Sequence, residues 1–290
     1  MDPQSVAQDI SRLVALPRAY HRVSEMVRDE RYGTSDIGRV IAHEPALTAR
    51  LLRMVNSAYF GLPSRIDTIP MAITVLGTRA LHELVLATSV AAAFDRIDSA
   101  LVDVADFWHH SIYVGLVARL LSRRLRLGHS EQMFIAGLLH DLGKLAIYHQ
   151  LPREAERVLR TFADDPGDRT LYQTERDVIG FDHTAVGEAL LRLWQLPSVY
   201  VEVAACHHDP DQAESFADEV AVVHVADALT RKVEPGHKVP RGADDLPLLE
   251  PAAAERVHVD SDLVADLRLE ADLQAIEVYG TLFGQAPANS

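Results

Sequence analysis

Cysteine is almost missing from this chain of 290 residues, where Cys206 stands alone. A single thiol excludes an internal disulfide framework and also the thiolate cage of a structural zinc site. Long apolar runs are missing too, since no stretch of about eighteen apolar residues is present to span a bilayer. The N-terminal MDPQSVAQDI lacks the basic and apolar pattern of a signal peptide. The expectation is a cytoplasmic protein with no membrane partner. Positive charge is in short supply, with 28 Lys and Arg against 42 Asp and Glu and a net charge of −14. That balance works against general affinity for phosphate backbones, which depends on Lys and Arg contacts that release counterions, so nucleic acid is not an expected partner. A phosphorylated ligand would need local cations to overcome the global field, and bound metal ions would supply them.

What remains is a chain that is 48% hydrophobic and 24% charged, long enough for roughly two domain-sized units. Apolar residues recur at three- and four-residue spacing over most of the first 235 positions, and period-two alternation is scarce, which predicts an all-α protein of two helical lobes. Helices are expected near 3–15, 18–29, 35–43, 45–58, 67–76, 78–95, 100–127, 130–149, 152–163, 168–178, 182–194, 197–208 and 217–233. Pro17, Pro45, Pro152 and Pro197 fit first helical turns, Gly61, Gly128 and Gly180 fit helix stops, and Ser35 and Ser130 fit N-caps. The expected organisation is an N-terminal helical lobe at 1–98, a histidine-rich helical core at 99–235, and a tail at 236–290. A Pro- and Gly-rich segment, EPGHKVPRGADDLPLLEPA from Glu234 to Ala252, leads from the core into the tail and reads as a linker or lid, and the tail regains a helical pattern over 259–284.

Histidines cluster in the second block. In FWHHSIYVG, Asp106 and His110 lie four apart on one helix face, a spacing able to hold one ion from both, while His109 points about a hundred degrees away. GLLHDLGKL places His140 beside Asp141, with Lys144 one turn on. Adjacent side chains of these types can bracket a pair of Zn, Mn or Fe ions, with Asp141 bridging. Asp182 fits a helix cap with His183 in the first turn, His207 and His208 end an apolar helix, and Asp227 lies in an Ala- and Val-rich helix. Taken singly, each has a plain structural reading: a buried His is usually a core residue bonded to backbone, His207-His208 can complement a helix C-terminus, and Asp227 can pair with an arginine. His224 keeps that core reading. Jointly, they can converge in a helical bundle to form a dinuclear centre.

The order His110, His140-Asp141, His183, His207-His208, Asp227 resembles the H…HD…D signature of the HD superfamily of metal-dependent phosphohydrolases. The run IAHEPALTARLLRMVNSAYFGLPSRIDTIPMAITVLGTRALHELVL at 41–86, together with FWHHS, AGLLHDLGKL, ERDVIGFDHTAVGEALLRLWQLP and HVADAL, is similar to the HDOD family over about residues 10–232. The resemblance implies an HD-like core and a signal-transduction output module, with a signalling protein as partner. Its alternative is an active phosphohydrolase acting on a phosphorylated small molecule or nucleotide. By analogy with HD-GYP phosphodiesterases, it implies metal ligands at Asp106, His110, His140, Asp141, His183, His207, His208 and Asp227, and catalytic roles for Asp141, Lys144 and His183, with Lys144 contacting substrate phosphate. Where those enzymes carry HHE and GYP, this chain reads HHDPDQAESF. Hydrolysis of cyclic-di-GMP is therefore not implied, and Asn56, Ser57 and Tyr59 of NSAYFGLP are left for an interlobe surface or an ordinary helix end.

Overall fold

A computed structural model describes residues 1–94, 97–164, 169–230 and 249–284. Among them every regular element is a helix, as the apolar spacing predicts. In chain order these are α1 (Pro3–Leu13), α2 (Arg18–Val27), α3 (Thr34–Ala42), α4 (Pro45–Val55), α5 (Ile69–Phe94), α6 (Val104–Leu125), α7 (Ser130–Leu139) and α8 (Leu142–Gln150). They continue with α9 (Pro152–Asp164), α10 (Leu171–Ile179), α11 (His183–Leu193), α12 (Ser198–Cys206), α13 (Ala217–Thr230), α14 (Pro251–Arg256) and α15 (Ser261–Phe283). The chain divides into two compact units, Met1–Val14 with Ile97–Arg268, and Ala15–Arg96 with Leu269–Ser290. The proline-rich segment expected as a linker or lid falls mostly on 231–248, outside the described residues.

Several local expectations correspond to real caps. The Asp182 carboxylate accepts from the backbone N–H of Thr184 and Ala185 and starts α11. Gly61, Gly128 and Gly180 all have positive φ. Others need correction. Gly33 rather than Ser35 caps α3, its N–H held by the Asp36 carboxylate at 2.9 Å, and His129 rather than Ser130 precedes α7. The largest correction concerns 130–149, expected as one helix. The chain breaks at His140-Asp141: His140 ends α7, and Asp141, at φ −104° and ψ 8°, precedes α8.

In the larger unit, glycines set how closely the helices approach. A Cβ on Gly137 would lie 2.6 Å from Gly115 Cα, so α7 meets α6 backbone to backbone. A Cβ on Gly143 would lie 1.9 Å from the His183 carbonyl oxygen and 2.7 Å from Gly187 N, so α8 is pressed equally hard onto α11. Both glycines lie in GLLHDLGKL and flank the break, drawing His140 and Asp141 into the unit's centre.

The smaller unit packs α2, α3, α4 and α5. Among the described residues α5 alone is long and apolar enough to cross a membrane, but half of that stretch is buried inside the protein, and Gly77 (φ 83°, ψ 160°) interrupts it, as the expected separate helices at 67–76 and 78–95 imply. In NSAYFGLP, the Asn56 amide donates to the Ile66 carbonyl at 2.8 Å and accepts from the Ile66 N–H at 2.7 Å, bracing the loop after α4. Ser57 donates to the Met54 carbonyl, so these residues serve the unit's own loop.

His82 gives this unit a pH response. It is buried, stacks on Tyr20 at 5.7 Å, and lies 3.1 Å from Ser24 Oγ. Burial, with Arg28 and Arg79 nearby, lowers its pKa to about 4. A lowered folded-state value means the neutral ring is the one the fold accepts, so the contribution is complete above about pH 6.5 and is lost as pH falls toward 4. His82→Gln, which cannot titrate, is expected to remove up to about 3 kcal/mol of acid sensitivity over that window. Denaturant unfolding of both proteins across the pH range reads the difference, and parallel profiles would refute this role.

Candidate metal centre

The break between α7 and α8 sets Asp141 at the junction of two donor groups. Its Oδ1 lies 3.3 Å from His183 Nε2 and 3.4 Å from His207 Nε2. Its Oδ2 lies 3.2 Å from His140 Nε2 and 3.8 Å from His110 Nε2. Asp227 Oδ1, from α13, stands 3.3 Å from His110 Nε2 and 3.9 Å from His140 Nε2. His208 Nε2 is 3.1 Å from His183 Nε2. Asp141, His183, His207 and His208 thus form one group whose donor atoms lie within 4.8 Å of one another, and His110, His140 and Asp227 form a second. Only His208 is more than slightly exposed.

Each ring is aimed by what its other nitrogen holds. His140 Nδ1 donates to the Gly137 carbonyl at 2.6 Å, and His207 Nδ1 lies 3.1 Å from the Ala204 carbonyl. His183 Nδ1 is held by Glu175 Oε2 at 2.6 Å, and the same oxygen accepts the His183 backbone N–H at 2.9 Å. These contacts leave Nε2 facing inward, the arrangement that fixes tautomer and direction in metal-binding histidines. The His208 ring stacks on Tyr172 at 4.6 Å.

Electrostatics follow from burial and charge. Burial pushes the Asp141 carboxyl upward, but His140 and Lys144, with the His140 and His183 rings close against its oxygens, overcome it and hold the carboxyl well below the usual range. Burial also works against charge on His183, yet Glu175 and Asp141 raise it to about 10, whereas burial prevails at His207 and lowers it to about 4. A cation taken up at His183 therefore displaces a proton. His140 Nε2, His207 Nε2 and Asp141 Oδ1 are buried and make no hydrogen bond among the described residues. Buried nitrogen and carboxylate donors without hydrogen bonds, supported from behind, fit bound metal ions, and a thiolate site is excluded by composition.

Of the residues expected from sequence, seven converge: His110, His140, Asp141, His183, His207, His208 and Asp227. Asp106 does not. It sits half-buried in the first turn of α6, outside both groups, because the carboxylates facing His110 come from Asp141 and from Asp227 on α13. Lys144 reaches the centre, with Nζ 2.6 Å from Asp141 Oδ2. His224 proves to be a bonded core residue: Nδ1 donates to the His207 carbonyl at 2.8 Å and Nε2 accepts the Glu250 N–H at 3.1 Å. Glu175 was the residue sequence reasoning missed. Its signal was a carboxylate one helix upstream of His183, indistinguishable in sequence from a surface acid.

Among the described residues the fold is helical, with a buried His and Asp cluster at a helix junction. The HDOD domain model matches residues 13–210, and the chain belongs to the HDOD domain family. An uncharacterized protein of Treponema pallidum (strain Nichols) is 25% identical over 248 residues, covering 82% of this chain and 46% of that protein, so this chain spans a little under half the length of its curated relative. Two solved structures share the fold. One, from Shewanella amazonensis SB2B and named as a candidate phosphohydrolase, has a TM-score of 0.74 at 24% identity, covering 96% of this chain and 97% of that one. The other, an HDOD domain protein with unknown function from Geobacter sulfurreducens, has a TM-score of 0.74 at 23% identity, covering 96% of both chains.

Proposed function

We propose that this chain is a signal-transduction output module in which two divalent transition-metal ions, Fe, Mn or Zn, hold the helices around Asp141 in the state that a signalling partner reads. The observation that carries this reading is Asp141 itself, a buried carboxylate with one oxygen facing each of two donor groups. Burial of every donor residue except His208 favours a holding role over open traffic of substrate.

A phosphohydrolase is the second reading, favoured by the Lys144 ammonium at the bridging carboxylate, where a cation can meet a phosphate. A dinuclear centre of this kind supplies Lewis acidity and a hydroxide nucleophile at neutral pH. In that reading Asp141 and His183 stand nearest the reaction, Lys144 orients the phosphorylated small molecule or nucleotide, and the name of the Shewanella relative lends support.

Two measurements separate the readings. Elemental analysis of the purified chain is expected to find about two ions per molecule. Phosphoesters, including cyclic dinucleotides, assayed with Mn or Fe are expected to turn over no faster with the native chain than with Lys144→Ala. Turnover that disappears in Lys144→Ala would establish the hydrolase, and a metal-free chain with its ligands intact would remove the centre from both readings.

A further inference from the structure

Two side chains on one face of α10 stand behind two different donors of the centre. Glu175 Oε2 lies 2.6 Å from His183 Nδ1 and accepts the His183 backbone N–H at 2.9 Å. Tyr172, three residues earlier and so on the same face, stacks on His208 with ring centroids 4.6 Å apart and planes inclined by 15°. A third residue of the helix joins them. The Arg176 guanidinium lies 5.1 Å from the Tyr172 ring centroid, and its Nε donates to Asp182 Oδ2 at 2.5 Å, on the residue that caps the helix His183 begins. α10 is itself fixed at both ends, by the Thr170 N–H donating to Gln173 Oε1 at 3.1 Å and by the stop at Gly180, φ 93°.

Both supported donors belong to the group of Asp141, His183, His207 and His208. The other group, His110, His140 and Asp227, comes from α6, the end of α7 and α13, and all three residues are buried. Charge separates the groups further. Asp227 and one oxygen of Asp141 face the second group, whereas Asp141 is the only carboxylate among the four members of the first. A dication is held less strongly where fewer anionic donors face it. His208, alone of the seven donors, is part-exposed and sets the first group nearer to solvent.

We infer, on the two-ion reading of the centre, that Tyr172 and Glu175 are positioning residues for the ion at Asp141, His183, His207 and His208, so that α10 sets the affinity of that half alone. A signalling partner then has a point of action. Displacing α10, whose Gln173, Arg176 and Asp177 are exposed, releases one ion while the half at His110, His140 and Asp227 stays filled.

The test adds Co(II) to the metal-stripped full chain and follows uptake by calorimetry and by the visible absorption of the bound ion. Two resolved steps are expected. Tyr172→Leu and Glu175→Ala are each expected to weaken the weaker step by about 10–100-fold, the usual effect of removing a support behind a ligand, and to leave the tighter step and its spectrum unchanged. Tyr172→Phe keeps the stacking ring and should bind as the native chain does. Tyr172 is half-buried, so its variant decides the matter even if Glu175→Ala fails to fold. Uptake of both ions in a single step, a Tyr172→Leu chain that shifts both steps, or one that shifts neither would overturn the inference and leave the two-ion centre standing. A native chain that takes up one Co(II) or none would overturn both.

Discussion

Asp141→Ala is expected to empty both halves of the centre at once. Among the described residues Asp141 offers one oxygen to each group, so its loss removes a donor from both, and metal affinity should fall by on the order of 100-fold or more. The variant also deletes the carboxylate 2.6 Å from the Lys144 ammonium, both groups being buried. Breaking a buried pair from one side costs roughly 3–5 kcal/mol, read by urea unfolding of the metal-stripped protein. Adding Lys144→Met should return much of that stability and none of the metal, which separates a ligand from a merely structural charge. An Asp141→Ala protein with unchanged metal content would disprove the bridging assignment.

Gly143→Ala is expected to be nearly as damaging, although it touches no ligand side chain. The new methyl would sit 1.9 Å from the His183 carbonyl and 2.7 Å from Gly187 N, and both obstacles are backbone. Rotamer changes cannot relieve such a clash. α8 and α11 must separate, which carries His183 away from Asp141 and costs more than the about 1–3 kcal/mol of ordinary overpacking. Gly187→Ala is the matched control, because its methyl would meet Ala204 Cβ at 3.6 Å, an ordinary contact. Thermal unfolding and metal content should collapse in the first variant and hold in the second. Equal behaviour would mean that the helix approach at Gly143 is not what assembles the centre.

The helical class and the chemistry of the centre were legible in the sequence because both are carried by residue type. Histidines and carboxylates set in apolar helices are costly unless they share a purpose, and Asp182 is an N-cap by its chemistry wherever it precedes a helix. The break at His140-Asp141 was hidden because the apolar spacing runs unbroken through GLLHDLGKLAIY with no proline to interrupt it. What bends the chain there is tertiary: the close approaches at Gly137 and Gly143, whose counterparts at Gly115, His183 and Gly187 lie elsewhere in the sequence. Asp106 shows the converse error. Four-residue spacing correctly places it on the His110 face, but a shared face does not decide which neighbouring helix arrives to complete the site. Glu175 needed the packing of α10 against α11 before its role was visible.

The His224 bridge has a consequence beyond packing. One ring joins the His207 carbonyl, part of the peptide unit that carries a ligand, to the Glu250 N–H just ahead of α14. The start of α14 is therefore tethered through two hydrogen bonds to the backbone that aims His207 at Asp141. Linkage is reciprocal: whatever loading the centre does to the tether, a pull on the tether does back to loading, by the same free energy. A ligand anchored in this way serves the centre as a handle, giving a distant part of the chain a grip on it.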